Sequence, residues 1–340
     1  MLLRSSLTDT PCDGSLLAGL SDDDWRKIIA LARFNRVSAL CSHALSLLPR
    51  EQQPPRKLWL PWVASQDIIA QKARHKNHVA RELVTLMRQH GIDTVVLKGP
   101  RLAACYPHPE LREYDDIDVY HPNGPRKADE VVRQTLCLTV NTDDPHHSTY
   151  IFKEVTVENH YTFAHNWNMP SNSDYEALLL QQGPSPTFDA LYMLRHTASH
   201  FAASHAPLKN LCDWAMFVRK HRTEVDWDEV GRQMRRFGME RFVAAIQRIV
   251  SEKLHIEPVA QLDADITPAL VKRVCDDMTY GEFAQPSHPK SGLSRTRWKW
   301  RRYRANRWKR QLVYRDPEIA ILLRGFASHL HHPRNLTHKH

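Results

Sequence analysis

Glycine, closely spaced cysteines and long apolar runs are all scarce in this chain. Only 11 of its 340 residues are glycine, about half the usual share, which suits a mostly helical protein with a small sheet. No run approaches the roughly 18 uninterrupted apolar residues of a membrane span, and the N-terminal residues lack the apolar core of a signal peptide. The six cysteines are dispersed and form no CxxC pair, which fits a reducing compartment. We therefore expect a globular cytoplasmic protein without a membrane span.

Basic charge is in surplus, but it is concentrated in one segment. The chain has 47 Lys and Arg against 38 Asp and Glu, a formal charge of +9. Residues 290–315 hold eleven of these basic residues and no acidic one, so the rest of the chain is close to neutral. A uniformly basic protein is therefore excluded, and the basic segment needs its own explanation.

The first ninety residues show helical periodicity. Ser21 and Asp24 have the spacing of a capping box, which predicts the start of a helix. Apolar residues then predict a long helix from about Leu58 to His90, with Gly91 as its C-terminal cap. We expect an N-terminal helical region over residues 1–91.

The period changes in the middle of the chain. Short β-branched and apolar runs predict strands at residues 94–97 and 117–120, with a helix starting at Pro125. Residues 149–163 are best interpreted as two adjacent strands, and helical spacing returns from Asp189 onward. The expected fold is α+β, with a small mixed sheet flanked by N-terminal helices and a larger C-terminal helical region.

Two aspartates follow a glycine turn in residues 95–120. A strand ends at Lys98-Gly99, and the proline that follows can begin a helix. Glycine lets the backbone come close to a ligand. The N-terminus of a helix beside a lysine is a suitable place for phosphate oxygens. Further on, Asp116 and Asp118 are two positions apart, so in a strand they point into one site. Such close carboxylates repel unless a cation lies between them, and Mg²⁺ is the common candidate.

A third acid lies in the second predicted hairpin strand. Glu158 and His160 alternate with Val157 and Asn159, so they share a face. If this strand lies beside the aspartate strand, Glu158 joins the two aspartates in one metal cluster.

Together these elements resemble the polymerase-β-like nucleotidyltransferases, and more closely the bacterial group called uncharacterised nucleotidyltransferases. The motifs that carry the resemblance are Leu97-Lys98-Gly99, Arg112, Asp116-Ile117-Asp118 and Glu158-Asn159-His160. The superfamily's usual Gly-Ser is Lys-Gly-Pro here, so Lys98 would take the place of the serine contact to phosphate. The likeness extends to flanking helical segments, from about residue 15 to about residue 330.

The resemblance implies a chemistry and a set of residues. A nucleoside monophosphate would pass from an NTP, with ATP as the default, to a hydroxyl of an unknown small molecule, peptide or protein. Two Mg²⁺ ions, with Mn²⁺ as the alternative, would be held by the three catalytic acids, which are Asp116, Asp118 and Glu158. The nucleotide-binding residues implied are Lys98, Gly99 and Arg112. Arg112 would hold a phosphate or brace the aspartate strand, and an ion pair with a neighbouring acid is the simpler alternative for it.

The acceptor would lie near helical residues outside the core. We expect the catalytic core over residues 92–170 and a helical acceptor region over residues 171–340. The candidates for acceptor contacts or for support of the acids are His160, His200 and Asp213. Asp213 is either a buried ion-pair partner or a wall of the acceptor pocket. His200 pairs with His196 at helical spacing, but no third zinc ligand is evident.

An alternative function comes from the basic segment. Residues 295–310 mix Arg and Lys with tryptophan and tyrosine, which can neutralise phosphates and stack on bases. The chain could therefore be an RNA-binding protein with a degenerate nucleotidyltransferase core. Helical spacing from Trp300 through Arg304 to Trp308 favours a helix whose aromatic side chains pack on the protein, and attachment to a membrane surface is a weaker option.

Overall fold

Helices make up most of the structure and surround one four-stranded sheet, which confirms the expected α+β fold. The computed structural model describes residues 1–122, 124–163, 170–281, 283 and 292–317. The helices and strands, in chain order, are α1 (Leu2–Thr8), α2 (Asp22–Phe34), α3 (Ser38–Ser46), α4 (Arg56–Gln89), β1 (Val95–Val96), α5 (Pro100–Ala103), β2 (Asp116–Tyr120), α6 (Pro125–Thr135), β3 (His147–Phe152), β4 (Val155–His160), α7 (Pro170–Gln182), α8 (Pro186–Ala203), α9 (Leu208–His221), α10 (Trp227–Arg236), α11 (Glu240–Leu254), α12 (Pro268–Tyr280), α13 (Gly292–Ala305) and α14 (Arg307–Val313). Short 3₁₀ helices occur at Gly14–Leu17, Arg50–Gln52, Pro109–Leu111 and Ala260–Leu262.

The chain forms two compact units. The first unit contains the whole sheet and consists of Met1–Thr162, Pro207–Thr223 and Ile249–Glu257. The second unit is helical and consists of Phe163–Ala206, Glu224–Arg248 and the chain from Pro258. The functional regions expected from the sequence, residues 1–91, 92–170 and 171–340, stay a prediction.

Two helix boundaries in the first unit follow their sequence signals. The Ser21 hydroxyl accepts a hydrogen bond from the Asp24 backbone N–H at 3.2 Å, and the Asp24 carboxylate accepts one from the Ser21 N–H. This reciprocal capping box starts α2 where the spacing predicted it. α4 closes at Gly91, whose φ of +68° lies in the left-handed region that favours glycine. The Ile92 N–H then bonds back to the last turn of the helix.

The sheet has the strand order β1-β2-β4-β3. β2 and β4 are parallel, whereas β1 and β3 are each antiparallel to their neighbour. β3 and β4 form a hairpin through Lys153 and Glu154, whose φ angles of +48° and +66° fit a mirror-image turn that matches the strand twist. This hairpin confirms the two adjacent strands expected there. β1 is two residues shorter than the predicted strand 94–97, although the Leu97 N–H still donates to the Asp118 carbonyl at 2.9 Å.

One face of the sheet is buried in the core of the first unit. Ile117, Val119 and Val157 are fully buried and pack in one cluster with apolar side chains of α4 and α6. Because side chains alternate along a strand, Asp116 and Asp118 of β2 face away from this core. The apolar face thus fixes the orientation of the acidic one.

The basic segment forms α13 and α14 in the second unit, with residues 290 and 291 and everything from 318 onward outside the described residues. Trp308 packs edge-on against Phe201, with ring centroids 5.4 Å apart, and the Arg273 guanidinium lies 3.9 Å from its ring. Lys309 is buried and its ammonium lies 2.6 Å from Asp277. The contacts of α14 therefore support packing on the protein. None of the helices that the structure describes is both long and apolar enough to cross a membrane.

A different surface is seen on α13. Trp300 is 49 % exposed and stacks on Tyr303, with 5.9 Å between ring centroids. Arg301 and Arg304 are exposed on the same helix. The basic and aromatic character of the segment thus reaches solvent on α13, whereas α14 is mostly covered.

A buried carboxylate joins α6 to the hairpin. Asp129 is 2 % exposed and accepts hydrogen bonds from the Ser148 hydroxyl at 2.6 Å, the Asn159 amide at 2.8 Å and the Tyr161 hydroxyl at 2.5 Å. The three donors come from β3, from β4 and from the residue after β4, so one side chain positions the helix on the sheet.

We expect Asp129→Ala to lower the free energy of unfolding by about 3 kcal/mol, because three donors lose their charged acceptor. Glu130→Ala changes the exposed neighbour on the same helix and should cost less than about 0.5 kcal/mol. Urea unfolding followed by circular dichroism measures both variants. Equal losses in the two variants would show that Asp129 does not hold the helix in place.

Candidate active site

Two neighbouring parallel strands carry the three acids. Asp116 and Asp118 lie on one face of β2, and the register of β2 with β4 places Glu158 directly opposite Asp118. Asp118 is 1 % exposed, while Asp116 and Glu158 are half-buried. Glu158 can join the two aspartates only if its strand lies beside β2, and this pairing is present.

Two cationic or proton-donating groups converge on Asp118. Its Oδ1 atom lies 2.9 Å from the Lys98 ammonium and accepts a hydrogen bond from Nε2 of His160 at 2.9 Å. The same His160 nitrogen lies 3.6 Å from Glu158 Oε2. His160 is completely buried, and it comes from the end of β4 two residues after Glu158. One imidazole thus links the carboxylates of the two strands.

The pKa values of the three carboxyl groups are shifted in different directions at this crowded site. Burial alone would raise the pKa of Asp118, but the Lys98 charge and the His160 hydrogen bond hold it well below its usual range. Burial and repulsion by Asp118 and Asp116 raise the pKa of Glu158 to about 7. Burial and then Asp118 also raise the pKa of Asp116. The site therefore concentrates more negative charge than Lys98 neutralises.

This donor set fits a divalent cation. Asp118, Glu158 and His160 each offer one ligand atom, and the three atoms lie within 4.8 Å of one another. Carboxylate oxygens are the preferred ligands of Mg²⁺ and Mn²⁺, and an added cation would relieve the repulsion that raises the Glu158 pKa. Asp116, which the sequence predicts as a ligand, lies outside this group of three but on the same face of β2. The sequence predicts His160 only as an acceptor contact or a support for the acids.

The glycine turn lies directly ahead of α5. Gly99 has φ +54° and ψ −112°, and a Cβ atom there would lie 3.3 Å from ring atoms of Tyr114. Both the backbone conformation and the nearby ring therefore favour glycine. The helix that follows is a single turn, so few peptide dipoles add up at its start. A phosphate at this turn would depend more on Lys98 than on the helix end.

Arg112 is fully committed to protein contacts. It is 1 % exposed, and its Nε and Nη2 atoms donate to the two oxygens of Asp213 at 2.6 and 2.8 Å. Its Nη1 atom donates to the Gly99 carbonyl at 3.2 Å, and the Tyr106 hydroxyl donates to Asp213 at 2.6 Å. The geometry supports bracing of the turn by Arg112 and the ion-pair interpretation of Asp213.

Lys209 is a cation near the site that belongs to none of the sequence motifs. Its ammonium lies 3.5 Å from Asp213, one helical turn away on α9. Burial, followed by the positive charge of Arg112, lowers the pKa of Lys209 to about 8, and the charge of Lys98 also contributes. The i,i+4 spacing of a lysine and an aspartate is the one local signal that could have revealed it.

Two further cations flank the start of β2. The Lys76 ammonium donates to the Tyr114 carbonyl, and Arg36 pairs with Asp115. Asp115 is exposed and precedes the strand, so it does not share the position of Asp116. Nothing in the helical pattern of α4 distinguishes Lys76 from the other cations of that helix.

His200 lies on α8 in the second unit. Its side chain is exposed, and its ring centroid lies 4.5 Å from that of His196. The groups of possible metal ligands found among the described residues do not include this pair. A contact of His200 with an acceptor stays a prediction.

Carboxylates on two parallel strands behind a glycine turn are the arrangement that the sequence predicts for a nucleotidyltransferase core. The chain matches the family described as Uncharacterised nucleotidyltransferase over residues 21–255, more than half of its length. It therefore belongs to this family, and the resemblance drawn from its motifs is confirmed. The match ends before the basic segment, so it is shorter than the expected extent to about residue 330. Searches of curated proteins and of solved structures found no match.

Removing one partner of the Arg112–Asp213 pair should cost more than removing both. Asp213→Ala leaves Arg112 buried without its counter-charge, so we expect a loss of about 3–5 kcal/mol in the free energy of unfolding. The double variant Arg112→Met with Asp213→Ala should recover part of that loss. Asp67→Ala, an exposed aspartate on α4, is the control in the same urea unfolding experiment. A loss in Asp213→Ala no larger than in Asp67→Ala would contradict the bracing role.

The lowered pKa of Lys209 predicts a pH dependence of stability. The folded pKa is about 8 against 10.5 for an unperturbed lysine, so between these values only the unfolded chain keeps the proton. Stability rises with pH where the unfolded state binds more protons. We therefore expect the free energy of unfolding of the wild type, relative to Lys209→Met, to increase from pH 8 to pH 10.5. A flat or falling difference in urea unfolding would mean that Lys209 keeps an ordinary pKa.

Proposed function

We propose that the protein transfers a nucleoside monophosphate from an NTP to a hydroxyl of an acceptor that is a small molecule, a peptide or a protein. Membership of the nucleotidyltransferase family supports this class of transfer and an NTP as the donor. The observation that carries the proposal is the convergence of Asp118, Glu158 and His160, with Asp116 on the same strand face. ATP is the default donor, and we place the reaction in the cytoplasm on the strength of the dispersed cysteines.

The acids are proposed as the holders of two Mg²⁺ ions, with Mn²⁺ as the alternative. Asp116 and Asp118 would contribute to both ions and Glu158 to the one on the nucleophile side. Such ions, when bound, neutralise the triphosphate and lower the pKa of the attacking hydroxyl. The buried His160 supports this arrangement because its hydrogen bond holds Asp118 and its nitrogen lies near Glu158.

Glu158 is the proposed acceptor of the hydroxyl proton. Burial and its acidic neighbours raise its pKa to about 7, and a bound cation would lower that pKa and keep the carboxylate ionised, ready to accept the proton. As the acceptor oxygen forms a bond to the α-phosphorus, the bond from that phosphorus to the pyrophosphate oxygen breaks. Pyrophosphate then leaves, and Lys98 is the proposed cation that balances part of its charge.

The nucleotide contacts in this proposal come from the turn. Lys98 lies beside Asp118, and Gly99 lets the backbone come close to the triphosphate. Arg112 acts through the turn, because it donates to the Gly99 carbonyl while both oxygens of Asp213 hold its other side. Asp213 is therefore a positioning residue, and His160 and His200 remain the proposed groups for support or acceptor contact.

We expect label transfer from an α-labelled NTP to fall at least about 100-fold in Asp116→Asn/Asp118→Asn, because the carboxylates that stabilise the transferring group are lost. The wild type and variants are incubated with Mg²⁺, each NTP in turn and a cell extract, and the labelled product is identified. Asp115→Asn is the matched control, since Asp115 belongs to the same acidic run but is exposed. Transfer that survives the double substitution, or that is lost equally in Asp115→Asn, would refute the assignment.

RNA binding through the exposed face of α13 is the second candidate function. Trp300 is 49 % exposed beside the exposed Arg301 and Arg304, and such aromatic and basic side chains can stack on bases and neutralise phosphates. For the favoured function we expect no salt-sensitive RNA binding at physiological salt. Fluorescence anisotropy with labelled RNA measures this. Binding that survives Asp116→Asn/Asp118→Asn but not loss of Arg301, Arg302 and Arg304 would favour the RNA-binding alternative.

A further inference from the structure

A second cluster of potential ligands lies elsewhere in the first unit. Asp9 follows α1, His43 lies on α3, and His108 immediately precedes the 3₁₀ helix Pro109–Leu111. The three residues are far apart in the sequence, and each belongs to a different segment. Each nevertheless offers one ligand atom, and these atoms lie within 4.8 Å of one another.

The geometry points the imidazoles toward one carboxylate. Nε2 of His108 lies 2.9 and 3.0 Å from the two oxygens of Asp9, and Nε2 of His43 lies 3.6 Å from Asp9 Oδ1. The two rings are close to each other, with centroids 4.6 Å apart and planes inclined by 56°. Two imidazole nitrogens and one carboxylate oxygen thus lie close together.

Ser6 fixes the orientation of His43 through the ring nitrogen that does not face Asp9. The Ser6 side chain is buried, and its hydroxyl lies 3.2 Å from Nδ1 of His43. An Nδ1–H that donates to this hydroxyl leaves the lone pair on Nε2, the nitrogen that faces Asp9 and His108. Metal-binding histidines are commonly held in this way by a partner on the other ring nitrogen.

A hydrogen-bond network alone accounts for only part of this arrangement. The pair of His108 and Asp9 is within hydrogen-bond distance, but 3.6 Å between His43 and Asp9 is too long for such a bond. A metal ion would draw on all three groups at once.

We propose that Asp9, His43 and His108 bind a divalent transition-metal ion of the Zn²⁺ class. Two imidazoles and one carboxylate match the nitrogen and oxygen ligands of Zn²⁺, whereas Mg²⁺ prefers oxygen ligands only. Three protein ligands leave one tetrahedral position for water. The site is chemically distinct from the group of Asp118, Glu158 and His160, which has two carboxylates and one imidazole.

The ion would tie the N-terminal helix to the segment that leads into the active site. His108 lies four residues before Arg112, which braces the glycine turn. Asp9 and Ser6 both belong to the segment of α1, so the ion would connect this segment with α3 and with the approach to Arg112. The proposed role is structural, and the proposal does not depend on the transfer reaction.

Zn²⁺ binding to the full chain tests the proposal. Equilibrium dialysis at a buffered free Zn²⁺ concentration compares the wild type with Asp9→Asn, His43→Ala/His108→Ala and Ser6→Ala. All proteins carry Asp116→Asn/Asp118→Asn to weaken metal binding at the acidic group. The sequence also has histidines near the C-terminus, a residue type that binds Zn²⁺, so each result is a difference between full-length variants.

We expect the double histidine variant to bind one Zn²⁺ fewer per chain. In Asp9→Asn, whose amide still accepts a hydrogen bond from His108, affinity should fall at least about tenfold, and in Ser6→Ala about tenfold. His78→Ala/His90→Ala changes two exposed histidines, one on α4 and one directly after it, and is the matched control that should bind as the parent protein does. Circular dichroism checks that each variant is folded.

Asp9→Asn is the decisive variant, because Asp9 is exposed and its replacement keeps the shape of the side chain. If folded Asp9→Asn retains the Zn²⁺ affinity of the parent protein, or if His78→Ala/His90→Ala loses as much Zn²⁺ as the double histidine variant, the proposal is overturned.

Discussion

The parallel pairing of β2 with β4 is the constraint on which the site depends. Its register puts Asp118 opposite Glu158, and the alternation along β2 adds Asp116 to the same face. Three carboxylates in a half-buried place repel one another, and burial together with that repulsion raises the pKa of Glu158. Lys98 and His160 offset it fully at Asp118, whose pKa they hold low, and only in part at Glu158, whose pKa stays raised.

Several contacts around the sheet follow from the crowding of these three carboxylates. Lys98 must approach Asp118 from the turn, and the turn requires Gly99 in a conformation that other residues rarely adopt. The Gly99 carbonyl is held by Arg112, which is itself buried and therefore needs the Asp213 carboxylate. Asp213 lies on α9, some fifty residues after the sheet, and it thus supports the approach of Lys98 to Asp118.

Much of this site could be predicted from local patterns. The spacing of Asp116 and Asp118, with an apolar residue between them, is enough to predict that they share a face of a strand. Glu158 required one further assumption, that its strand lies beside β2, and the parallel register satisfies it. The capping box at Ser21 and the hairpin at Lys153 likewise depended on residues close together in the chain.

The long-range contacts could not be predicted in the same way. Arg112 and Asp213 were each open to an ion-pair interpretation, but 101 residues separate them and no pattern links them to each other. Lys209 gains its lowered pKa from burial and from cations on other segments, which periodicity does not report. His43 and His108 are single histidines in unremarkable segments, and only the fold brings them to Asp9.

The most direct test of the central claim is a crystal structure grown with Mn²⁺ and a non-hydrolysable NTP, with an anomalous difference map to locate the ions. The proposed function predicts anomalous peaks between the triphosphate and the carboxylates of Asp116, Asp118 and Glu158, with Lys98 beside the phosphates. A triphosphate bound elsewhere, or bound without an ion at these three carboxylates, would contradict it.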